Sequence, residues 1–168
     1  GSDSRRYNYF EAAGRRATVY EDVTLDVQPD PSRYLLQDWI ISFADGTPTY
    51  SPSRSVIKCS DWHAYRAPDQ EWERTHYQRQ SHIENTIKMV VDNARSAGAP
   101  TRFDSGWISV LQDQLGAYKH AEFGLGVALT KAQRDGQCQM VNNAILTNAS
   151  YKLRLSQDIT LCLGDIAL

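Results

Sequence analysis

The stretch E-W-E-R-T-H-Y, Glu71 to Tyr77, opens the first long helical pattern in this 168-residue chain, and the fold turns on how that pattern is read. From about Pro68 to Ala97, Trp72, His76, Ile83, Ile87, Val90 and Ala94 fall along one stripe at helical spacing. Pro68-Asp69 suits a helix start, because a proline in the first turn gives up an N–H that has no helical partner there. Gly98-Ala99-Pro100 ends the pattern. A second helix begins with Asp104 or Ser105 as its N-cap and runs to about Arg134. Its stripe is Trp107, Leu111, Leu115, Tyr118, Glu122, Leu125 and Leu129, and Asp135-Gly136 breaks it. A third runs from about Cys138 to Leu163, with Val141, Ala144, Asn148, Leu155, Ile159 and Cys162 on one face. These helices are far longer than the usual ~12 residues, and short turns join them. Long helices with short turns predict antiparallel neighbours in an all-α bundle spanning residues 68–168. A four-helix bundle needs one more long helix. The chain is therefore expected to be part of a larger subunit, or to complete its core against a partner.

On the N-terminal side the pattern changes. Residues 1–67 read as an extended arm and irregular segment. In Arg15 to Val27, the even spacing of Val19, Val23, Leu25 and Val27 predicts a strand. Gln28-Pro29-Asp30-Pro31 stops any regular element, since two prolines remove two donors and fix two φ angles. Asp45 to Ser53 is turn chemistry. The arm carries Tyr7, Tyr9, Phe10, Tyr20, Tyr34, Trp39, Phe43 and Tyr50. Few strands are available to pair with it, so it packs either on its own helices or on a partner chain, where aromatic side chains are enriched.

Composition narrows the function classes. Apolar residues make up 41% of the chain and charged residues 23%, with a net charge of -2. That balance gives no general attraction to nucleic acid or an anionic membrane. No apolar run approaches the ~20 residues that span a bilayer. The N-terminal residues form no hydrophobic signal segment, which predicts a cytoplasmic protein. Cys59, Cys138 and Cys162 are widely spaced and odd in number, which predicts buried or partly buried thiols without disulfides. G-x-S-x-G, P-loop and G-x-G-x-x-G patterns are absent. Gly124-Leu125-Gly126 lies in mid-helix and predicts close helix packing.

Within the opening stretch, Glu73 to His76 spell Glu-x-x-His. Residues three apart share a helix face, so a carboxylate and an imidazole there can reach one metal ion. Di-iron bundles use two such pairs plus a lone Glu from each of two other helices. On a helical wheel His76 sits in the middle of the apolar stripe and Glu73 about 60° away, at its edge. Glu122 lies inside the second stripe. No second Glu-x-x-His exists, and His120 points more than about 100° away from Glu122. The third helix offers Asn148 where a carboxylate is wanted, with Asp158 at the edge. Glu73, His76 and Glu122 thus make at most half a site. A buried Glu of this kind more often pairs with a cation or a hydroxyl.

Several segments together resemble one family. They are R-R-Y-N-Y-F (Arg5–Phe10), A-T-V-Y-E-D-V-T-L-D-V-Q-P-D-P (Ala17–Pro31), S-D-W-H-A-Y…D-Q-E-W (Ser60–Trp72), H-A-E-F-G-L-G (His120–Gly126) and N-N-A-I-L-T-N…K-L-R-L-S-Q-D (Asn142–Asp158). The family is the hydroxylase β (small) subunit of the soluble di-iron, or bacterial multicomponent, monooxygenases, with the propane and short-chain alkene branch most similar. The resemblance implies a ferritin-like (ribonucleotide-reductase-like) bundle without iron ligands and without a cofactor of its own. It implies a partner large (α) subunit that holds the di-iron centre, activates O2 and oxidises a hydrocarbon. It further implies a second αβ unit, a small γ subunit, a cofactorless regulatory protein, and an NADH-dependent reductase carrying FAD and an iron–sulfur cluster. The chain is shorter than such subunits and corresponds to about their N-terminal half. Its Glu73-x-x-His76 is not expected in the family. In this reading the arm reaches over the large subunit, with Tyr7, Tyr9, Phe10, Val19, Tyr20, Val23, Leu25 and Trp39 as contacts. Two rivals stand beside it: an independent ferritin-like metalloprotein using Glu73, His76 and Glu122, with Asp158 as a further ligand, and a helical adaptor with no oxidase role.

Overall fold

The structure, a computed structural model, describes residues 17–24, 44–46, 56–60, 64–136 and 138–166. Every regular element among them is helical: α1 (Val19–Thr24), α2 (Glu73–Ser96), a 3₁₀ turn (Ala99–Arg102), α3 (Ser105–Asp135) and α4 (Gln139–Ile166). They belong to two compact units. One comprises Gly1–Trp72 with Gln133–Ala144, the other Glu73–Ala132 with Ile145–Leu168.

The strand expected around Val19–Val27 is replaced, in its described part, by helix α1. The reason is a reciprocal cap. The Thr18 N–H donates to Glu21 Oε1 at 3.1 Å, and the Glu21 N–H donates to Thr18 Oγ1 at 3.2 Å. This Thr-x-x-Glu box satisfies two N–H groups at the helix start. The spacing of Val19 and Val23 is even, but it is also one helical turn, so period alone did not separate strand from helix. Tyr20, Glu21 and Thr24 are buried, whereas Val19 and Val23 are exposed. In the same unit Tyr20, Ala67, Cys138 and Met140 form the core, with Trp72, Val141 and Ala144 against it.

Helix α2 starts at Glu73, not at Pro68. Gln70 has φ 48°, a left-handed conformation that interrupts a right-handed helix. The Gln70 N–H closes a turn onto the Ala67 carbonyl at 2.9 Å, and Asp69 Oδ1 accepts the Glu71 N–H at 3.1 Å. At the other end Gly98 adopts φ 72° and its N–H reaches the Arg95 carbonyl at 2.8 Å. That left-handed glycine is the usual way to satisfy the last helical carbonyls. Asp104 caps α3, its Oδ1 accepting the Trp107 N–H at 2.7 Å.

In the second unit α4 is flanked by α2 and α3. Ser150, Arg154 and Asp165 meet His76, Glu84 and Arg95 in the same order, so α2 and α4 run parallel. Lys152 and Ser156 meet Glu122 and Lys119 in reverse order, so α3 runs antiparallel to α4. The expected core faces differ from those observed on all three long helices, and on α3 Glu122 is buried while Trp107, Tyr118 and Leu125 of the same expected stripe are 48–50% exposed. On α2 only His76 is buried, and Ile83, Ile87 and Val90 are 44–59% exposed. On α4 Ile159 is buried as expected, but Asn148 is exposed, and Ala149 and Ser156 are buried in place of Asn148 and Leu155. Among the described residues no helix is long and apolar enough to cross a membrane.

Candidate metal-site and docking residues

The expected ligands lie in the second unit, and His76, Glu122 and Asp158 each have a partner of their own. His76 is 4% exposed. Its Nε2 lies 2.9 Å from Ser150 Oγ, to which the Gln80 amide also donates at 3.4 Å. The edge of Tyr151 packs on the imidazole, with ring centroids 4.6 Å apart and planes at 75°. A hydroxyl and an aromatic ring thus surround the imidazole where a ligand would need an open approach to a metal. Glu73, three residues earlier, is exposed.

Glu122 is buried, and Lys152 Nζ stands 3.4 Å from its Oε2. A charged carboxylate in a helix interface needs a counter-charge, and here an ammonium supplies it. Asp158 Oδ1 lies 3.4 Å from Arg154 Nε, and Arg154 also pairs with Glu84. No three His, Cys, Asp or Glu side chains among the described residues are grouped so as to hold a metal ion. The structure does not assemble Glu73, His76 and Glu122 into one site.

Ser150 and Lys152 were absent from the sequence-based set. A buried Glu122 calls for a cation on the facing helix, and Lys152 and Arg154 were both visible in the sequence. The register that chooses Lys152 comes from packing. Gly126 sets it: an added Cβ there would lie 2.8 Å from Leu153 Cδ2 and Cγ, so α3 and α4 approach closely at this point. At Gly124 an added Cβ meets nothing within 4 Å. Close packing therefore explains one glycine of the Gly-Leu-Gly and not the other.

Of the expected docking residues, Val19 is 56% and Val23 38% exposed, on the outer side of α1. Tyr20 is on the inner side, 2% exposed, its hydroxyl oxygen accepting the Ala67 N–H at 2.9 Å. Burial raises its phenol pKa above the usual 10.0. Beside it Arg66 Nε pairs with Glu21 Oε2 at 3.3 Å. Tyr7, Tyr9, Phe10, Leu25 and Trp39 lie outside the described residues. The thiols divide: Cys59 is exposed, Cys162 half-buried and Cys138 buried, where desolvation pushes its pKa up.

A family model described as methane/phenol/alkene hydroxylase matches residues 39–168. The chain belongs to this hydroxylase family. It is 42% identical over 167 residues to the hydroxylase component small subunit of propane 2-monooxygenase from Gordonia sp. (strain TY-5). The corresponding subunits of Mycolicibacterium smegmatis and Rhodococcus jostii are 41% and 39% identical. Each match covers 99% of this chain and 45% of the relative, so the chain spans a little under half the length of these family members. The crystal structure of xenon-pressurised phenol hydroxylase from Pseudomonas sp. OX1 shares the fold, with a TM-score of 0.73 at 16% identity over 90% of this chain and 46% of that one. The hydroxylase family fold is thus the ferritin-like all-α arrangement expected from the sequence.

Proposed function

We propose that this chain is a non-catalytic structural part of the hydroxylase of a multicomponent di-iron monooxygenase. The hydroxylase would insert one oxygen atom from O2 into a small hydrocarbon such as propane or a short alkene. The observation that carries the reading is the pairing of Glu122 with Lys152, in a chain similar to propane 2-monooxygenase small subunits. An ammonium on the carboxylate fulfils electrostatically what a bound cation would, and it rigidifies the α3–α4 contact.

In this reading the di-iron centre belongs to a large (α) subunit, which the chain holds in place as a rigid frame. Electrons from NADH reach it through a reductase bearing FAD and an iron–sulfur cluster. A second αβ unit, a γ subunit and a regulatory protein complete the assembly, which is cytoplasmic. The contact residues are Val19 and Val23, with Tyr7, Tyr9, Phe10, Leu25 and Trp39 from the arm, while Tyr20 supports α1 from within.

The test is elemental analysis of the chain alone and after co-purification with its large subunit. Iron only in the co-purified sample is the expected result. Stoichiometric iron on the lone chain that disappears in His76→Ala would favour an independent metalloprotein and overturn the scaffold reading.

A further inference from the structure

Cys138 occupies the N-cap of α4. Its carbonyl accepts the Asn142 N–H at 3.1 Å, the bond that opens the helix. The backbone N–H groups of Met140 and Val141 donate to its sulfur. An N-cap side chain receives the second and third amides of a helix in this way, and the usual acceptor is a Ser, Thr, Asp or Asn oxygen. A neutral thiol is only a weak acceptor. Two amides at the positive end of a 28-residue helix therefore favour a charged sulfur. Burial opposes them and prevails: at 5% exposure the thiol is held protonated, its pKa above the usual 9.0.

A second thiol stands nearby in the same unit. Cys59 is exposed, and it lies close enough to Cys138 for its charge to be felt there, as does that of Arg66. Cys162 belongs to the other unit. A sulfur open to solvent beside a sulfur sheltered from it is the arrangement of an attacked and a resolving thiol. Residues 56–60 belong to no helix, so their backbone can adjust to the Cα separation below about 7 Å that a disulfide requires.

We propose that Cys59 and Cys138 are a reversible redox pair, closed to a disulfide by hydrogen peroxide. The Cys59 sulfur attacks the O–O bond; one oxygen stays on it as a sulfenic acid and the other leaves as water. The Cys138 sulfur then attacks the Cys59 sulfur. The S–S bond forms, the S–O bond breaks, and the departing hydroxide leaves as water with the Cys138 proton. Two thiols give up two electrons, and one peroxide becomes two waters. Oxidation of Cys59 also removes the thiolate that opposes ionisation of Cys138, so the first step prepares the second. Closure draws Cys138 away from its cap and from the core with Tyr20, Ala67 and Met140, which couples the start of α4 to the oxidation state. The inference concerns this chain's own thiols and stands whether or not the chain serves as a scaffold.

The experiment treats the complete small-subunit polypeptide with hydrogen peroxide, unfolds it, blocks remaining thiols with N-ethylmaleimide and maps the non-reduced peptides by mass spectrometry. The expected major link joins Cys59 to Cys138, several-fold above any link to Cys162, and disappears on treatment with dithiothreitol. Cys138→Ser keeps a capping hydroxyl and should leave Cys59 to proceed to sulfinic acid. Cys59→Ser should leave Cys138 to be recovered as the maleimide adduct. Thiols that stay reduced, Cys59 sulfinic acid beside unreacted Cys138 in the parent chain, or links chiefly to Cys162 or between two chains would each overturn the proposal. So would oxidation of Cys138 that proceeds equally in Cys59→Ser.

Discussion

At Tyr20 one side chain does two jobs: it belongs to the core with Ala67 and Met140, and its hydroxyl satisfies a buried N–H. Tyr20→Phe keeps the ring but strands the Ala67 N–H, which is expected to cost about 1–3 kcal/mol in thermal or urea unfolding. The phenol also predicts a pH dependence. Its folded pKa lies above 10.0, so the folded state holds the proton longer than the unfolded chain does. Stability from this group is fully present below pH 10.0 and declines as pH rises from there through the folded pKa. Unfolding midpoints of the Phe variant should therefore fall less steeply above pH 10.0 than those of the parent chain. Equal alkaline slopes would show that Tyr20 does not titrate with folding. Lys152 is a second single-residue anchor. Lys152→Met leaves the Glu122 carboxylate without its counter-charge, an expected loss of about 1–3 kcal/mol, at the lower end because the lysine is partly exposed. The double variant Lys152→Met, Glu122→Met should recover most of that loss, since an apolar pair of similar size replaces a buried ion pair well. Additive losses in the double-mutant cycle would mean that the two side chains do not interact.

At the scale of elements, the close approach of α3 and α4 depends on Gly126. Gly126→Val forces Leu153 to shift and should destabilise by about 1–3 kcal/mol through overpacking. Gly124→Ala, two residues away and facing open space, should stabilise by about 0.5–1 kcal/mol, because Ala loses less entropy than Gly in a helix. Guanidinium unfolding of the two variants separates these signs, and destabilisation by both would remove the distinction between the glycines. Sequence and structure agree best where the signal is local. The Asp104 cap, the Gly98 stop and three long helices were legible, because capping chemistry and apolar period act within a few residues. Thr18-x-x-Glu21 was equally legible as a cap, but a strand reading of Val19 and Val23 took precedence over it. On α4 Ile159 was legible as an inner residue, but Ala149 and Ser156 take the places expected for Asn148 and Leu155, a choice that packing near Gly126 makes. Lys152 as the partner of Glu122 follows from that same register. The Glu73-x-x-His76 spacing is plain in the sequence, but spacing cannot show that Ser150 and Tyr151 pack on the imidazole.

For the whole molecule, the question is which apolar surfaces serve the fold and which serve assembly. Helix α1 has a buried side and an exposed apolar side within six residues. Its inner side, Tyr20, Glu21 and Thr24, is tied to Ala67 and Arg66. Its outer side presents Val19 and Val23, which lie outside the core cluster formed among the described residues. Two exposed β-branched residues one turn apart lower helix propensity slightly, so helix formation alone does not favour them either. The interface with the large subunit proposed above would supply the reason. Val19→Ser, Val23→Ser is therefore expected to leave the unfolding midpoint of the chain nearly unchanged, as exposed substitutions generally do. The same variant should weaken association with the large subunit by about tenfold or more, the loss of about 1.4 kcal/mol that truncating a small apolar contact pair at an interface produces. Calorimetric titration of the two chains measures it. Unchanged affinity would place the contact elsewhere on the arm and remove α1 from the interface. Lost stability together with lost affinity would instead assign the valines to the fold, leaving the assembly role of α1 without support.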